Sequence, residues 1–374
     1  MKILFSSNIS WSIYHFRKGL LQSLQDEGFQ IVTIAQKDKY SEKLKVLGFE
    51  YYPLNINNNS KNPLKDLWLI YKYIKTYRKI KPDIILQNAI KPNIYGTIAA
   101  GFLGIPTINN ISGLGTLFIK KSLSTYIAKF LYKFSQKFAT TVFFQNEYDR
   151  DLFLKEDLIK KQKTNIIPGS GVNTEKFHPR LNTNENNQSF EFLFIARLIK
   201  DKGLMEYLEA AKILKEKYNK KVTFSILGPF YQANETAFKP EELQKWIDKG
   251  IINYLGETDN VAKEIAHTDS VVLPSYREGL SKVLIEASAM EKPIVTTNVP
   301  GCKDVVIDNY NGFLCQAKNS NDLADKMEKM FLLPKSQLQQ MGKNARKRAL
   351  EIFDEKIIIE IYKEEIYRIS NDKS

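Results

Sequence analysis

Short apolar runs alternate with longer segments of helical periodicity through the first half of the chain. The runs KILFSS from Lys2 and QIVTIA from Gln30 have the length and composition of buried strands. Between them, FRKGLLQSLQDEG has the period of an amphipathic helix that ends at Gly28. The series continues with strand-like DIILQN, PTINNI and TVFFQN and with helix-like WLIYKYIKTYRKI, YGTIAAGFLG and LSTYIAKFLYKFSQKF. This alternation predicts a parallel sheet covered by helices on both faces.

The same alternation restarts after a polar, Asn-rich segment at residues 173–190. Its strand-like runs are EFLFIAR, VTFSILG, NYLG, SVVLPS and PIVTTN, and its helix-like runs include LMEYLEAAKILKEKY and KVLIEASAM. We therefore predict an α/β protein of two Rossmann-like domains, residues 1–175 and 176–354, whose strand ends face a common cleft. A last helical segment, residues 355–374, either packs back on the first domain or stands apart, and the pattern leaves both open.

The chain of 374 residues carries a formal net charge of +13, which is unevenly divided. Residues 1–180 contain 27 Lys and Arg against 13 Asp and Glu, whereas the remainder is almost balanced. Such an excess predicts an anionic partner: lipid headgroups, a phosphorylated substrate or nucleic acid, although a solvated basic face has the same composition. Nucleic acid is disfavoured because no segment resembles a recognised binding module with basic and exposed aromatic residues interleaved.

Residue types that would indicate a metal, a disulfide framework or a membrane span are scarce. The three histidines and the cysteines Cys302 and Cys315 lack metal-ligand spacing, and two cysteines favour a reducing cytoplasm. No apolar run approaches the roughly 18 to 20 residues of a membrane span, and the N-terminal run suits a strand better than a signal peptide. The triplet Asp149-Arg150-Asp151 resembles a metal-binding D-x-D motif, but it falls at a predicted helix start, where acidic residues favour the helix dipole. We therefore expect no metal and no bound cofactor.

Pro274–Glu286 is the segment with the most specific pattern. A strand leads through a loop into a helix, with Glu278 in the loop and Glu286 about one turn inside the helix. The amides expected at the helix N-terminus, where phosphate oxygens bind well, are those of Gly279, Leu280 and Ser281. A loop carboxylate suits sugar hydroxyls and a first-turn carboxylate suits a ribose, although two glutamates with ordinary helix-capping roles are the simpler alternative.

A second segment supplies fixed cations. The strand EFLFIAR ends in Arg197, and Lys202 lies in the following loop. Loss of a nucleoside diphosphate builds negative charge on the leaving phosphate, which Arg and Lys stabilise. The pairs Gly113-x-Gly115 and Gly169-x-Gly171 lack the full dinucleotide fingerprint, so an NAD enzyme is not expected.

These motifs, together with PGC at residues 300–302 and NGF at 311–313, resemble the donor-site signature of retaining glycosyltransferase family 4, which has the GT-B fold. In the first half YHFR, IKPNIYG, ISGLG and PGSGV resemble a bacterial branch that adds hexoses or N-acetylhexosamines to undecaprenyl-diphosphate-linked sugars. The resemblance covers nearly the whole chain, and its donor motifs are more specific than its acceptor motifs.

The resemblance implies a role for each donor residue. Arg197 and Lys202 would hold the donor diphosphate, Glu286 the ribose, and Glu278 with the residues 279–281 backbone the transferred sugar and phosphate. Near the base would lie Gly228, Tyr254 and Leu255. The acceptor-side candidates are His15, Arg17, Lys91, Gly113 and Gly115.

One departure bears on mechanism. Many relatives have a His after the DIILQN strand, where this chain has Ile90. The resemblance therefore implies a front-face displacement in which the leaving diphosphate helps to deprotonate the acceptor hydroxyl.

The segment from Lys120 to Phe138 is amphipathic and basic. One predicted face carries Leu123, Ile127, Phe130, Leu131, Phe134 and Phe138. The membrane-facing candidates are Lys120, Lys121, Lys129, Lys133 and Lys137. Such a helix lies in an anionic interface, or its apolar face is the core stripe of a domain helix.

The sequence thus predicts transfer of a sugar, an N-acetylhexosamine, from a UDP-sugar to a polyprenyl-diphosphate-linked glycan at the inner face of the cell membrane. The alternatives are a non-hydrolysing nucleotide-sugar epimerase of the same fold and, from the basic charge alone, a nucleic-acid-binding protein.

Overall fold

The computed structural model describes residues 1–56, 63–114, 123–181, 189–232, 234 and 236–372. They form two compact units, the first comprising Met1–Gly171 with Glu355–Ser374 and the second Val172–Asp354. Each unit is built on one sheet in which every strand pair is parallel. The predicted α/β class with two parallel-sheet domains is confirmed.

The strands run in the order β3-β2-β1-β4-β5-β6-β7 in the first sheet and β10-β9-β8-β11-β12-β13 in the second. The bounds in the first unit are β1 Lys2–Ile9, β2 Gln30–Gln36, β3 Glu50–Pro53, β4 Ile84–Asn88, β5 Thr107–Ile111, β6 Thr141–Phe144 and β7 Thr164–Ile166. Those in the second unit are β8 Phe190–Ile195, β9 Val222–Leu227, β10 Asn253–Tyr254, β11 Ser270–Leu273, β12 Ile294–Thr297 and β13 Gly312–Cys315.

Helices connect the strands. In the first unit they are α1 Ser10–Phe16, α2 Lys18–Asp26, α3 Ser41–Val46, α4 Pro63–Ile80, α5 Thr97–Phe102, α6 Leu123–Ser135 and α7 Glu147–Lys155. In the second they are α8 Leu204–Tyr218, α9 Pro240–Asp248, α10 Val261–Ala266, α11 Lys282–Ala289, α12 Ser320–Phe331 and α13 Lys335–Ile352. The last helix, α14 Glu355–Asn371, belongs to the first unit.

The first sheet has a hydrophobic core on each face. Leu4 packs into the core that α4, α5 and α6 cover, whereas its neighbours Ile3 and Phe5 pack into the core that α1, α2 and α14 cover. Successive residues of a strand point to opposite faces, so an uninterrupted apolar run such as KILFSS is what a sheet covered on both sides requires.

The first predicted helix differs from the structure. FRKGLLQSLQDEG is not one helix, because the backbone leaves the helical region at Arg17 (φ −132°) and separates α1 from α2. Arg17 therefore lies between two helices, as the C-cap of α1 and the N-cap of α2. The predicted end is confirmed, since α2 stops at Asp26 and Gly28 has the left-handed φ of 86°.

The boundary between the units lies before Val172, slightly earlier than the predicted position after residue 175. The Val172 amide donates to the Phe353 carbonyl at 2.8 Å, and the Thr174 hydroxyl donates to the Asp354 carboxylate at 2.5 Å. These bonds fix the start of the second unit to its own end. Of the predicted polar linker, residues 182–188 lie outside the described residues.

The last helix packs on the first unit. The ring of Tyr362 makes an edge contact with Phe143 of β6 at 5.0 Å, and its hydroxyl accepts a hydrogen bond from the Asn110 side chain. Lys363 forms an ion pair with Glu27 at 2.5 Å. Of the two placements that the sequence left open for residues 355–374, the structure has the helix on the first unit.

Candidate active site

The second sheet places the predicted donor-binding residues at the carboxyl ends of neighbouring strands. Arg197 follows β8, Gly228 follows β9, and Glu278 lies in the loop after β11. Tyr254 ends β10, and Leu255 comes next. Because these strands are adjacent and parallel, the loops that follow them meet at one edge of the sheet, where α/β proteins bind ligands.

The loop between β11 and α11 is fastened to the loops on both sides of it. The Tyr276 amide donates to the Asp201 carbonyl at 2.9 Å, and the Glu278 amide donates to the Pro300 carbonyl at 3.2 Å. Backbone bonds of this kind fix the chain independently of side-chain rotamers. Glu278 is therefore carried on a braced loop.

Two glycines allow these loops to approach one another. Gly203 and Gly301 have left-handed φ angles of 74° and 79°. A Cβ atom on Gly203 would lie 2.1 Å from the Pro274 carbonyl oxygen, and one on Gly301 would lie 2.5 Å from the Glu278 carbonyl oxygen. Only glycine adopts this backbone at such close approach.

The backbone amides before α11 are not all available to a ligand. The Ser281 amide donates to the Gly301 carbonyl at 3.0 Å, so the prediction that it faces a phosphate is wrong for this structure. The Leu280 amide has no hydrogen-bond partner within the described parts of the chain. The Leu280 N–H is therefore uncommitted at the start of this helix, a position that favours anions.

Lys202 and Glu278 form an ion pair between Nζ and Oε1. Both side chains are largely buried, with 19% and 13% of their surface exposed. The sequence predicted that the two residues share a site, with Lys202 on phosphate and Glu278 on sugar, but it gave no signal that they bind each other.

Arg197 is exposed at the end of β8. Its guanidinium lies over the ring of Tyr231, with Cζ 4.9 Å from the ring centroid. A guanidinium on an aromatic face keeps its hydrogen-bond donors free at its edge.

Glu286 lies one turn inside α11, as predicted, and only 8% of the residue is exposed. Burial raises the pKa of its carboxyl group, because it penalises the charged form, while Lys282 and then Lys176 act in the opposite direction. The Lys282 Nζ lies 3.9 Å from Oε1.

The residues expected near the base, Gly228, Tyr254 and Leu255, lie in the turns at the ends of β9 and β10. The Gly228 amide donates to the Gly256 carbonyl at 2.7 Å, and the Tyr254 hydroxyl donates to the Gly228 carbonyl at 3.0 Å. Leu255 is exposed. Gly228 touches the preceding strand end, since a Cβ there would lie 1.8 Å from the Ala196 carbonyl oxygen.

Sequence reasoning missed a part-buried contact between Tyr276, in the loop between β11 and α11, and Glu206 of α8. The Tyr276 hydroxyl donates to Oε1 of Glu206 at 2.7 Å. Oε2 of Glu206 is buried without a hydrogen-bond partner among the described residues. Burial raises the pKa of Tyr276, and the Glu206 carboxylate raises it further. Glu206 sits in the first turn of α8, where acidic residues are common, so its role had no sequence signal.

Of the acceptor-side candidates, His15 and Arg17 lie at the end of α1. The His15 ring is half-buried among aromatic rings, including Trp11 at 5.0 Å and Tyr40 at 4.9 Å. Arg17 is 2% exposed, and its guanidinium lies over the Tyr362 ring at 5.7 Å. Arg17 is therefore a buried arginine between two helices, not a solvent-exposed one.

Lys91, another acceptor-side candidate, follows β4 and forms an ion pair with Asp66 of α4 at 2.8 Å. Ile90, which stands where many relatives have His, is exposed at the end of the same strand. Gly113 has a φ of 115° in the turn after β5, and Gly115 lies outside the described residues.

Two of the lysines predicted to face the membrane form ion pairs within the first unit. Lys129 pairs with Glu156 at 2.8 Å, and Lys133 pairs with Asp157 at 2.6 Å. Lys137 is exposed beyond the end of α6, and Lys120 and Lys121 lie outside the described residues. The second and third turns of α6 thus use their lysines to bind acidic residues after α7.

Most of the predicted apolar face of α6 is exposed, namely Leu123, Ile127, Phe130 and Phe134, whereas Leu131 packs against the core. The core contacts of the helix come from its other face, which includes Ala128 and Tyr132. The exposed apolar and aromatic side chains on α4, α5 and α6 are Leu64, Leu67, Trp68, Tyr71, Phe102, Leu123, Tyr126, Ile127, Phe130 and Phe134. All three helices cover the same face of the first sheet. Within the described chain, no helix combines the length and apolarity needed to cross a membrane.

The Asp149-Arg150-Asp151 triplet lies in α7, as predicted. The Asn146 side chain accepts a hydrogen bond from the Asp149 amide at 2.8 Å and so caps the helix, and Asp149 is fully buried. Among the described residues, no three His, Cys, Asp or Glu side chains are grouped as a metal ion would need.

Comparison with known proteins identifies the class. Residues 175–348 match the family model described as "Glycosyl transferases group 1", and residues 2–146 match "Glycosyl transferase 4-like". The chain is 31% identical to N,N'-diacetylbacillosaminyl-diphospho-undecaprenol alpha-1,3-N-acetylgalactosaminyltransferase of Campylobacter jejuni, over 97% of each chain. It is 25% identical to UDP-Gal:alpha-D-GlcNAc-diphosphoundecaprenol alpha-1,3-galactosyltransferase of Escherichia coli, over 78% of this chain and 76% of that one.

Solved structures agree on the fold. A protein from Anabaena in complex with UDP and glucose superposes with a TM-score of 0.81 at 19% identity, covering 98% of this chain and 99% of that one. A glycosyltransferase from Rickettsia africae gives 0.80 at 18% identity, covering 98% of each chain. This protein is a glycosyltransferase with the GT-B fold, and the chain belongs to glycosyltransferase family 4.

Proposed function

We propose that the protein transfers an N-acetylhexosamine from a UDP-sugar to a polyprenyl-diphosphate-linked glycan, with retention of configuration. The observation that best supports this proposal is that four candidate donor-binding residues follow strands at one edge of the second sheet. They are Arg197, Lys202, Glu278 and Glu286. The Campylobacter jejuni relative, whose name specifies both an N-acetylgalactosamine transfer and a diphospho-undecaprenol acceptor, supports these substrates.

In this proposal two cations bind the donor diphosphate. Arg197 is exposed with its donors at the edge of the Tyr231 ring, and Lys202 lies on the neighbouring short turn. Together with the Leu280 amide they stabilise the charge that develops on the leaving phosphate. That charge is met by protein groups alone, so the reaction needs neither a metal nor a cofactor, and the UDP-sugar is a co-substrate.

The ion pair between Lys202 and Glu278 is exchanged when the donor binds. The diphosphate takes over Lys202, and the freed Glu278 carboxylate accepts hydrogen bonds from sugar hydroxyls. Glu286 binds the ribose hydroxyls, and Gly228, Tyr254 and Leu255 contact the base. The bond between the anomeric carbon and the phosphate oxygen breaks, the acceptor oxygen bonds to the same face of that carbon, and the hydroxyl proton passes to the departing phosphate.

A direct assay tests this function. The full chain is incubated with UDP-N-acetylgalactosamine, UDP-N-acetylglucosamine, UDP-galactose or UDP-glucose and a polyprenyl-diphosphate-linked saccharide. We expect UDP release only when acceptor is present, loss of that release in Arg197→Ala and Glu286→Ala, and an α-linked product. A new nucleotide sugar formed without acceptor would show an epimerase, and normal turnover of both variants would contradict the site assignment.

We also propose that the first unit binds a membrane surface peripherally, at the inner leaflet where lipid-linked glycans are assembled. The exposed aromatic and apolar side chains of α4, α5 and α6 share one face of the unit, and a monomeric protein rarely exposes so many together. Trp and Tyr among them are the residue types that favour the headgroup region. The basic excess of residues 1–180 adds attraction to anionic lipids.

Insertion of apolar groups, and not the paired lysines, dominates this contact. Lys129 and Lys133 already bind Glu156 and Asp157, whereas Phe130 between them is 70% exposed. We expect Ile127→Ser/Phe130→Ser to lose flotation with vesicles of phosphatidylglycerol and phosphatidylethanolamine. Flotation of Lys129→Ala/Lys133→Ala should be only slightly reduced. Flotation of Leu350→Ser, which changes an exposed leucine on α13, should be unchanged. Equal flotation of the native chain and Ile127→Ser/Phe130→Ser would refute the surface.

A further inference from the structure

A cavity in the second unit lies away from the donor-binding loops. It has a volume of about 400 Å³, which is within the range of small-molecule sites. Its walls are the turn before β13, the last turn of α12 and one face of α13. Asn309 and Tyr310 precede the first residue of β13, whereas the donor-binding residues follow the carboxyl ends of parallel strands. The cavity is therefore at the opposite edge of the same sheet.

Four carboxamide side chains line the cavity, those of Asn309, Gln337, Gln340 and Asn344. The last three are spaced i, i+3 and i+7 on α13, which places them on one face of the helix. The Gln340 amide donates to Oδ1 of Asn344 at 3.0 Å, and the Asn344 amide donates to the Tyr310 carbonyl at 2.9 Å. The Gln337 side chain and Oε1 of Gln340 have no hydrogen-bond partner among the described residues. Both acceptor oxygens and N–H donors are thus available to a ligand.

The charge of the lining favours a neutral ligand. Of the described residues that line the cavity, only Lys329 carries a charge. Its Nζ donates to Oδ1 of Asn309 at 2.7 Å and lies 4.5 Å from the centroid of the Phe313 ring. An anion would meet a single lysine that is already engaged, and a cation would meet no carboxylate in this lining. A ligand rich in hydroxyl groups, each of which both donates and accepts, matches the carboxamides.

Tyr310 adds an aromatic ring to the lining, on a turn that the backbone holds in place. The Tyr310 amide donates to the Ile307 carbonyl at 3.1 Å, and the Asn309 amide donates to the Gly312 carbonyl at 2.9 Å. The Tyr310 side chain is 37% exposed, so its ring is accessible. The negatively polarised face of an aromatic ring attracts the C–H groups on the apolar side of a sugar ring. Carboxamides beside an accessible aromatic ring suit both the polar edge and the apolar face of a saccharide.

We propose that the cavity lined by Tyr310, Gln337, Gln340 and Asn344 binds a neutral saccharide at a site separate from the reacting sugars. Sugar hydroxyls exchange hydrogen bonds with Gln337 and Gln340, and the Tyr310 ring covers an apolar face of the sugar. Because the cavity lies at the edge of the sheet opposite the donor-binding loops, the bound saccharide is not the one that reacts. The site holds a glycan to the enzyme through a second contact, which raises the effective concentration of that glycan.

Ligand-observed NMR titrations with soluble oligosaccharides of N-acetylglucosamine, galactose and glucose test the site without any transfer reaction, with UDP present to occupy the donor site. We expect saturable binding of at least one of them to the native chain. Tyr310→Ala should raise its dissociation constant on the order of tenfold, the scale of a lost aromatic contact, whereas Tyr310→Phe should stay near native because it keeps the ring. Gln337→Ala/Gln340→Ala should also weaken binding. Gln339→Ala is the matched control, since Gln339 is exposed on the same helix and does not line the cavity.

Further measurements separate this cavity from other binding sites. Glu286→Ala should bind the oligosaccharide as the native chain does, and loss of binding in that variant would place the saccharide in the donor site instead. Excess inorganic phosphate should leave the dissociation constant unchanged, whereas displacement of the saccharide would indicate an anion site at Lys329.

The remaining outcomes decide the proposal. Absence of saturable binding by all three oligosaccharides, an unchanged dissociation constant in both Tyr310→Ala and Gln337→Ala/Gln340→Ala, or an equal loss in Gln339→Ala would overturn the site. Release of UDP in the transfer assay should stay near native in the cavity variants, which also shows that they fold. Failure of the native chain to transfer any sugar would contradict the proposed function while leaving this binding result intact.

Discussion

Lys202 and Glu278 bind each other across two loops that follow different strands of the second sheet, β8 and β11. Both are partly withdrawn from solvent, where a charge without a partner is costly. The two charges therefore neutralise each other and hold a cation and an anion at one point of the site. When a nucleotide sugar binds, its diphosphate replaces Glu278 as the partner of Lys202, and its sugar hydroxyls replace Lys202 as the partners of Glu278.

Exchange of this pair predicts unequal effects of its two members. Lys202→Ala should lower kcat by roughly 10² to 10³-fold, the scale seen when a donor to developing charge is removed, and it should weaken UDP binding. Glu278→Gln should lower kcat for transfer but leave UDP binding near native, because UDP lacks the sugar. Lys200→Ala, in the same short turn, is the control and should retain activity. Equal UDP affinity in native chain and Lys202→Ala would contradict the assigned contact.

Glu286 predicts a stability effect opposite in sign to its effect on activity. Burial raises its pKa in the folded protein above the value of the unfolded chain, so the folded state binds more protons between those two values. Stability then falls as pH rises through that window. Glu286→Gln should therefore exceed the native melting temperature at pH 7 while losing transfer. The difference should shrink as pH falls toward 4.5, measured by thermal unfolding; a constant difference from pH 4.5 to 7 would disprove it.

Removal of divalent metal tests whether protein groups alone stabilise the negative charge on the leaving diphosphate. If Arg197 and Lys202 meet the charge on the leaving diphosphate, initial rates in EDTA should stay within about twofold of untreated enzyme, less than the tenfold that 1.4 kcal/mol of transition-state stabilisation represents. A rate that requires added Mg²⁺ or Mn²⁺ would assign that role to a metal instead.

The architecture followed from the sequence because buried parallel strands produce uninterrupted apolar runs. KILFSS and SVVLPS became β1 and β11, since the first sheet has a core on each face and every residue of β11 is buried. The run NYLG was predicted as a strand and contains the two-residue β10, whereas the short strands β3, β7 and β13 were missed. The helix split at Arg17 was missed because the helical period continues through it.

Within the site, the sequence identified residues by local motif and missed partners that are distant in the chain. Glu278 and Gly301 belong to recognisable loops, whereas the bond between Tyr276 and Glu206 joins positions 70 residues apart. On α6 the period was found correctly, but a period does not say which face is covered. Phe130 is exposed because α6 meets the core through Ala128 and Tyr132.

Close approach at Gly203 predicts a backbone-specific loss of stability. Gly203→Ala adds a Cβ 2.1 Å from the Pro274 carbonyl oxygen to a left-handed φ, whereas Gly250→Ala meets the same kind of φ with no atom within 4 Å. Left-handed strain alone costs about 1 kcal/mol. Gly250→Ala should lose about that much in chemical denaturation, and Gly203→Ala should lose more and also weaken UDP binding. Equal losses would show that the two loops can separate freely.

The Tyr276 hydroxyl predicts a kinetic effect without loss of the fold. Its bond to Glu206 ties the loop that carries Glu278 to the first turn of α8, so Tyr276 is a positioning residue. Tyr276→Phe should lower kcat by about tenfold or more, on the order of the 1.5 to 3 kcal/mol of a hydrogen bond to a charged group, with a smaller change in the KM of the donor. Tyr218→Phe is the matched control, since Tyr218 donates to Glu328 at the other end of α8. If both variants lose kcat equally while melting at the native temperature, the bond to Glu206 does not position the loop.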